Sequence, residues 1–187
     1  MKRTLVSAFL LGLGLGSAHA ALVAHFKLDE GALDPTTNIV YSSGGAFTGT
    51  FSGAATPTWA TTDLAPIPAS EGGTTAYLVH PDDNTAYTVT DFYAPTGATA
   101  RTVAAWVKFP AAFQTNGAAP QGCIVSYGTT SPLYTRFTFA LDTTGSTPRG
   151  KLRFEISGAN MVGNTVVADD KWHHVAMTCP NGAFMSN

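Results

Sequence analysis

The residues best placed to do chemistry in this 187-residue chain lie near its C-terminus, in the stretch KWHHVAMTCPNG over 171–182. Neighbouring side chains on a β-strand point to opposite faces, so His173 and His174 would diverge and could not hold one metal ion together. On a helix, a metal-binding pair needs a spacing of four residues, which is absent here. We therefore expect a core strand rather than a catalytic or metal site. Trp172 shares a face with His174, and we expect one histidine to be partly buried and hydrogen-bonded and the other to lie near the rim.

Paired carboxylates for hydrolysis are the second chemistry to consider. Retaining glycoside hydrolysis places two carboxyl groups about 5–5.5 Å apart across the scissile bond. The only glutamates are Glu30, Glu71 and Glu155, and none has a second carboxylate two residues away on the same strand face. No glycine-flanked serine of the GxSxG type appears either. The sequence predicts that the protein is not an enzyme and has no catalytic residues, with a glycan-active hydrolase, or an accessory fragment of one, as the alternative.

Aspartates on predicted turns could supply the hard oxygens that calcium prefers. They are Asp29, Asp82, Asp83, Asp91, Asp169 and Asp170. Aspartates in turns more often bond to their own backbone than to a metal. We therefore expect no metal site and no cofactor, with bound calcium as the alternative.

Cys123 and Cys179 are the only cysteines. In an oxidising compartment they could form a disulfide, which needs Cα atoms about 4.4–6.8 Å apart. Sequence spacing leaves open both this disulfide and a pair of buried free thiols. A zinc site is disfavoured, because neither cysteine has a second Cys or His two to four residues away.

Sugar binding would need aromatic rings and polar groups on one sheet face. The candidate rings are Trp59, Trp106, Tyr87, Tyr93, Tyr127 and Tyr134. Aromatic residues at strand spacing are usually core. The ligand-binding residues therefore stay unassigned at this point.

Alternating apolar and polar residues predict the strands that would position these side chains. Strands are predicted at 22–28, 102–109 and 123–128. A hairpin is predicted over 136–156, with TTGSTPRG as its turn, and a second one is predicted from AYLVH and AYTVTDF, which flank PDDNT. No segment has sustained helical spacing of apolar residues. Many short strands between turns indicate an antiparallel sandwich or barrel.

In the first of these hairpins, the pattern of KLRFEIS predicts which side chains face the core. Leu152, Phe154 and Ile156 are expected to point inward. Lys151, Arg153 and Glu155 are expected to point to water.

Five segments, taken together, carry a family resemblance. In chain order they are VAHFKLDEG, SSGGAFTGTFSG, AYLVHPDDNTAYTVTD, RTVAAWVKF and DDKWHHVAMTCPNG. They resemble the first strand, a small-residue loop, the second hairpin, the central tryptophan strand and the tryptophan-histidine strand of laminin G-like domains, a branch of the concanavalin A-like lectin and glucanase superfamily. The resemblance covers essentially all of 22–182.

This resemblance implies an antiparallel two-sheet jelly-roll sandwich over a single domain, 21–187. Family members act as carbohydrate-binding, adhesion or scaffold modules, some bind calcium, and a separate branch hydrolyses glycans with an alternating glutamate-aspartate-glutamate strand that has no match here. Tyr41 stands where related sequences often carry an aspartate, which disfavours a family-type calcium site. The family pattern continues with a further hairpin and a last strand, whereas this chain stops at PNGAFMSN. We therefore expect a domain that is incomplete at its C-terminus.

The first twenty residues predict a secretory signal peptide over 1–20. Lys2 and Arg3 precede an apolar stretch, and Ala18 and Ala20 fit the cleavage positions. No later stretch is long and apolar enough to span a membrane. Export places the protein outside the cell, at the cell surface or in the periplasm.

The low charge of the chain limits the classes of partner that it could bind. Charged residues make up 12% of the chain and the net charge is −2, so there is no basic field for nucleic acid or an anionic membrane. We expect an exported binding or adhesion module that recognises carbohydrate or extracellular protein. A structural spacer is the third hypothesis.

Overall fold

The computed structural model describes residues 24–26, 28, 39–41, 47–52, 57–79, 86–89, 100–115, 122–128, 136–144, 148–156 and 159–180. This part of the chain forms β-strands joined by antiparallel pairings, with two short 3₁₀ helices at Ala69–Glu71 and Ala111–Gln114. The strands are β1 (Ile39–Tyr41), β2 (Thr48–Ser52), β3 (Thr58–Ala60), β4 (Tyr77–Val79), β5 (Ala86–Val89), β6 (Arg101–Lys108), β7 (Cys123–Tyr127), β8 (Phe137–Asp142), β9 (Lys151–Ile156), β10 (Ala159–Val166) and β11 (Trp172–Cys179). The prediction of an all-β, antiparallel fold is confirmed.

A four-stranded sheet, in the order β10-β9-β8-β7, contains the predicted 136–156 hairpin. Strands β8 and β9 pair from Phe137 opposite Ile156 to Asp142 opposite Lys151. Gly150 closes the turn with a φ of 79°, and a Cβ there would lie 2.6 Å from the Cβ of Ala168. Only glycine fits this position, because a side chain would be strained and would collide with its neighbour.

A two-stranded sheet faces this one and is built from β6 and β11, which lie far apart in the sequence. Their pairing runs from Arg101 opposite Cys179 to Lys108 opposite Trp172. The two sheets share one apolar cluster, in which side chains of both contact one another. Its buried members are Phe137, Phe139, Phe154, Ile156 and Val175, and Val103, Ala105, Val107 and Met177 pack against them.

A smaller apolar cluster closes one end of the packed sheets. Leu141, Val167 and Ala168 form it, and the rings of Phe109 and Phe113 pack against it. The side-chain amide of Gln114 donates a 2.6 Å hydrogen bond to the carbonyl of Ala168. This contact ties the second 3₁₀ helix to the segment that leads into β11.

The second predicted hairpin is wrong in its pairing, although its strands exist. Strand β4 pairs with β3, with Trp59 opposite Leu78, and β5 pairs with β2, with Phe51 opposite Tyr87. Alternation identifies a strand and its faces, but it carries no information about which strand lies beside it. The prediction is wrong because it pairs two strands only on the ground that they are neighbours in the sequence.

Three further differences concern element positions. The loop expected from SSGGAFTGTFSG contains β2, which pairs with both β1 and β5. Strand β10 was not predicted, because ANMVGNTV lacks alternation. Of the predicted strand 22–28, the structure describes residues 24–26 and 28; Phe26 forms a single bridge, and Leu28 has a φ of 56°, which is not extended.

The predicted signal peptide, residues 1–20, and the C-terminal segment 181–187 lie outside the described residues. Both the leader and the incomplete C-terminus therefore remain predictions. Across the described ranges, no helix is long and apolar enough to cross a membrane.

Candidate functional site

The outer face of the β6–β11 sheet, turned away from the shared core, presents a row of cross-strand pairs. We name it the ladder face, and its paired residues are Thr102 with Thr178, Ala104 with Ala176, and Trp106 with His174. Five of these six residues are exposed, and Trp106 is half-buried. Because neighbouring strand residues alternate between faces, the ladder face is built by the same strands that supply the inner apolar side chains.

The aromatic pair lies at one end of the ladder face. The ring centroids of Trp106 and His174 are 5.3 Å apart, and the ring planes are inclined at 51°. At the other end the hydroxyls of Thr102 and Thr178 are 3.2 Å apart and hydrogen-bonded. The small side chains of Ala104 and Ala176 lie between them, so this part of the face is shallow. We call the Trp106–His174 pair the aromatic rung and the Thr102–Thr178 pair the hydroxyl rung.

Asp63 contacts both strands just beyond the aromatic rung, at one end of the ladder face. Its backbone carbonyl accepts a 2.7 Å hydrogen bond from the indole N–H of Trp172, and its carboxylate pairs with the ammonium group of Lys108. The hydrogen bond to Asp63 raises the pKa of Lys108. The ring of Tyr77 packs edge-on against Trp172 at 4.9 Å. The segment around Asp63 therefore fixes the end of the sheet and leaves the rungs from Trp106 onward open.

His173 lies on the opposite face from His174 and is hydrogen-bonded, so the two histidines do not share one site. Its Nε2 lies 2.7 Å from an Oδ1 of Asp169. The hydrogen bond from His173 holds the pKa of Asp169 below its usual range. The expectation of one partly buried, hydrogen-bonded histidine is confirmed, and the other histidine, expected near the rim of the core, is exposed.

The two described aspartates of the calcium hypothesis are used by the chain itself. The carboxylate oxygen of Asp169 that contacts His173 also accepts the backbone N–H of Lys171 at 3.2 Å. Asp170 accepts the backbone N–H of Ala111 at 3.1 Å. Among the residues that the structure describes, no three His, Cys, Asp or Glu side chains are grouped as metal ligands. The other predicted aspartates, Asp29, Asp82, Asp83 and Asp91, lie outside those residues.

Two arginines and two carboxylates form an ion network on the back of the four-stranded sheet. Arg136 and Arg153 each bind one carboxylate oxygen of Glu155, the latter at 2.9 Å. Arg153 also lies 3.6 Å from the carboxylate of Asp142. We name these four residues the charged cluster.

The charged cluster corrects the prediction that Arg153 and Glu155 point to water. Each of these side chains is only 18% exposed. Burial alone would raise the pKa of Glu155, but its hydrogen bonds to Arg153 and Arg136 hold that pKa below the usual value. The alternation of KLRFEIS finds the two faces correctly, but it cannot show that the second face is also covered. A carboxyl group held ionised in this way is poorly suited to act as a general acid.

The two cysteines lie on different strands. Cys123 lies on β7 and Cys179 lies on β11. Burial raises the pKa of the Cys123 thiol. A disulfide between the two stays a prediction.

Of the candidate aromatic rings, those that the structure describes lie on three different strands. Trp59 is half-buried on β3, and Tyr127 stacks on Phe137 at 4.6 Å, within the core. Tyr87 lies on β5, and Tyr93 and Tyr134 lie outside the described residues. Among the described candidate rings, the half-buried ring of Trp106 lies beside the exposed ring of His174. From the sequence, Trp106 and His174 can be placed on two alternating strands. Neither strand encodes that the two strands pair, or in which register they do so.

Comparison with protein-family models, with curated proteins and with solved structures gives no match to this chain.

Proposed function

We propose that the protein is an exported, non-enzymatic binding module that recognises carbohydrate through the ladder face. The observation that carries this proposal is the half-buried ring of Trp106 beside the exposed imidazole of His174, on a sheet face that also presents paired threonine hydroxyls.

The chemistry of the ladder face matches that of a neutral sugar. A sugar ring has an apolar C–H face that can lie on an aromatic ring, and a rim of hydroxyls that donate and accept hydrogen bonds. Thr102 and Thr178 supply hydroxyls, and Ala104 and Ala176 let a ring approach the sheet closely. None of the six residues of the ladder face is an acid or a lysine or arginine, and the adjoining Lys108 is already paired with Asp63.

The fold that we propose is the laminin G-like jelly roll. Two antiparallel sheets that share an apolar core support it, together with the resemblance of the five segments. Export is proposed from the leader-like residues 1–20. Fold alone does not choose a function, so the proposal rests on the ladder face.

A glycan array probed with the purified chain, with and without calcium, tests the proposal. We expect binding to neutral oligosaccharides, and loss of this binding in Trp106→Ala. Trp59→Ala is the matched control, because it removes a half-buried indole of another sheet and should leave binding unchanged. Binding that survives Trp106→Ala, or that requires Trp59 equally, would refute the assignment to the ladder face.

Two further outcomes would replace the proposal. Release of reducing ends from a β-glucan would assign hydrolysis, and binding to no glycan would leave the adhesion and spacer hypotheses. Circular dichroism of each variant should confirm that the β-sheet signal is retained before binding is compared.

A further inference from the structure

The ladder face separates its two kinds of ligand-binding group along the strands. The aromatic rung and the hydroxyl rung are four residues apart on both β6 and β11, with the Ala104–Ala176 pair midway between them. A strand rises about 3.3 Å per residue, so the two rungs lie about 13 Å apart. A single sugar ring is much shorter than this distance. One ligand can therefore contact both rungs only if it consists of several linked rings.

The aromatic rung is suited to hold one ring of such a ligand. The indole of Trp106 offers an apolar surface, and the imidazole of His174 lies beside it at 5.3 Å. Within the described part of the chain, the indole N–H of Trp106 and the ring nitrogens of His174 make no hydrogen bond. The indole N–H of Trp172, by contrast, is bonded to Asp63. The aromatic rung can therefore combine stacking with hydrogen bonds to sugar hydroxyls.

The hydroxyl rung can bind a second part of the ligand. The hydroxyls of Thr102 and Thr178 are 3.2 Å apart, so one of them donates to the other. The hydroxyl that accepts this bond keeps its own proton, and both oxygens keep acceptor capacity. Both residues are exposed. The hydroxyl rung therefore presents a donor and acceptors together, which matches the hydroxyls of a neutral sugar.

Asp63 limits the ladder face at its aromatic end. Lys108 and Trp172 are paired two residues beyond the aromatic rung and lie on the same face. Asp63 contacts both, with its carboxylate at the ammonium group of Lys108 and its carbonyl at the indole N–H of Trp172. Both residues are half-buried. From the aromatic rung, the open direction along the strands is therefore toward the hydroxyl rung.

The region between the rungs favours a ligand that stays close to the sheet. Ala104 and Ala176 are both exposed and carry only a methyl group. A straight chain of sugars can follow the row from one rung to the other, whereas a chain that curves away after one ring loses the second rung. Hexoses joined by β-1,4 linkages form straight chains, and those joined by α-1,4 linkages curve into helices. The β-1,4-linked chains therefore fit the row better.

We propose that the ladder face binds a straight, neutral oligosaccharide lengthwise, with a terminal ring on the aromatic rung and a later ring at the hydroxyl rung. This inference rests on the proposed carbohydrate-binding function and adds to it the class of ligand and its direction. The affinity should therefore increase with the number of linked rings until the ligand reaches both rungs.

NMR titration, which measures weak as well as tight binding, tests the proposal with sugars of defined length. The probes are β-1,4-linked glucose, mannose and xylose from the monomer to the tetramer, together with α-1,4-linked glucose of the same lengths. We expect the best β-1,4-linked tetramer to bind at least about tenfold more tightly than its own monomer. It should also bind at least about tenfold more tightly than the α-1,4-linked tetramer.

Variants at the two rungs separate the two contacts. Thr178→Val should weaken binding of the tetramer about two- to tenfold and leave the monomer unchanged, because one ring on the aromatic rung does not reach the hydroxyl rung. Trp106→Ala should weaken binding of monomer and tetramer alike. Thr165→Val, at an exposed position of β10, is the matched control and should leave the whole length series unchanged.

The outcomes distinguish this proposal from the function on which it rests. Equal affinity for monomer and tetramer, or tighter binding of the α-1,4-linked series, would overturn the lengthwise mode and leave a carbohydrate site. Loss of monomer binding in Thr178→Val would overturn the direction. Binding to none of these sugars, when the glycan array shows binding to others, would overturn the ligand class alone. Binding to no glycan in either experiment would overturn both proposals.

Discussion

The two packed sheets differ most on the faces that they turn away from their shared core. On the back of the four-stranded sheet, Arg153 and Glu155 of the charged cluster are largely buried and bound to each other. On the ladder face, Trp106 and His174 contact each other and are open to solvent on one side. The comparison shows that strong polar groups need not mark a binding site: the carboxylate of Glu155 is occupied by two arginines of the same chain, whereas the threonine hydroxyls of the ladder face, bonded to each other, are exposed.

The largest effect that separates the two faces should come from Glu155→Gln. The substitution removes the charge that two guanidinium groups share, and hydrogen bonds to charged groups contribute about 1.5–3 kcal/mol each. We expect the free energy of unfolding to fall by about 2 kcal/mol or more in a denaturant titration, because Arg153 stays largely buried and Arg136 stays half-buried. Carbohydrate binding should not change.

Glu71→Gln provides the control for this experiment. It makes the same chemical change at an exposed glutamate in a 3₁₀ helix, so its effect on unfolding should stay within about 0.5 kcal/mol. An equal loss of stability in both variants would show that the charged cluster contributes no more than a surface carboxylate.

Acid should weaken the charged cluster. The pKa of Glu155 is lowered from an ordinary value of 4.5. A carboxylate with a lowered folded-state pKa stabilises the fold above its unfolded pKa, and this contribution is lost as pH falls through the folded value. Stability should therefore decline from about pH 4.5 downward, and the decline should be shallower in Glu155→Gln.

Asp169 should add to the same decline, because its pKa is lowered from an ordinary value of 3.8. Thermal unfolding followed across this pH range by circular dichroism measures both contributions. Identical pH profiles for Glu155→Gln and the unmodified chain would contradict the role given to Glu155.

The sequence predicted those features of the two faces that depend on residues close together in the chain. The β8–β9 hairpin was predicted because its strands are adjacent in the chain and its turn is rich in turn-forming residues. The opposite orientations of His173 and His174 also followed from strand geometry alone. By contrast, the position of Trp106 beside His174 depends on a pairing between distant strands, and alternation does not encode that pairing.

The exposure of the charged residues was mispredicted for a related reason. Arg153 and Glu155 occupy the polar face of an alternating strand, which normally faces water. Their burial depends on Arg136 and Asp142, and the pattern within β9 contains no sign of these neighbours. Sequence therefore predicted which side chains share a face, but not what covers that face.

The smallest effect should come from the hydroxyl rung of the ladder face. Thr178→Val keeps the shape and strand preference of the residue and removes its hydrogen-bonding group, so stability should change by no more than about 0.5 kcal/mol. Binding to a neutral oligosaccharide should weaken about two- to tenfold, the range expected for one hydrogen bond. Thr165→Val, on exposed strand β10, is the control and should bind normally.

The most direct test of the ladder face is a calorimetric titration of Trp106→Ala with the neutral oligosaccharide that the unmodified chain binds best. We expect affinity to fall about tenfold or more while the free energy of unfolding of Glu155→Gln, measured in parallel, falls without loss of affinity. The two faces would then be separated into one that binds and one that stabilises. Unchanged affinity in Trp106→Ala, or a loss of affinity in Glu155→Gln, would contradict this account.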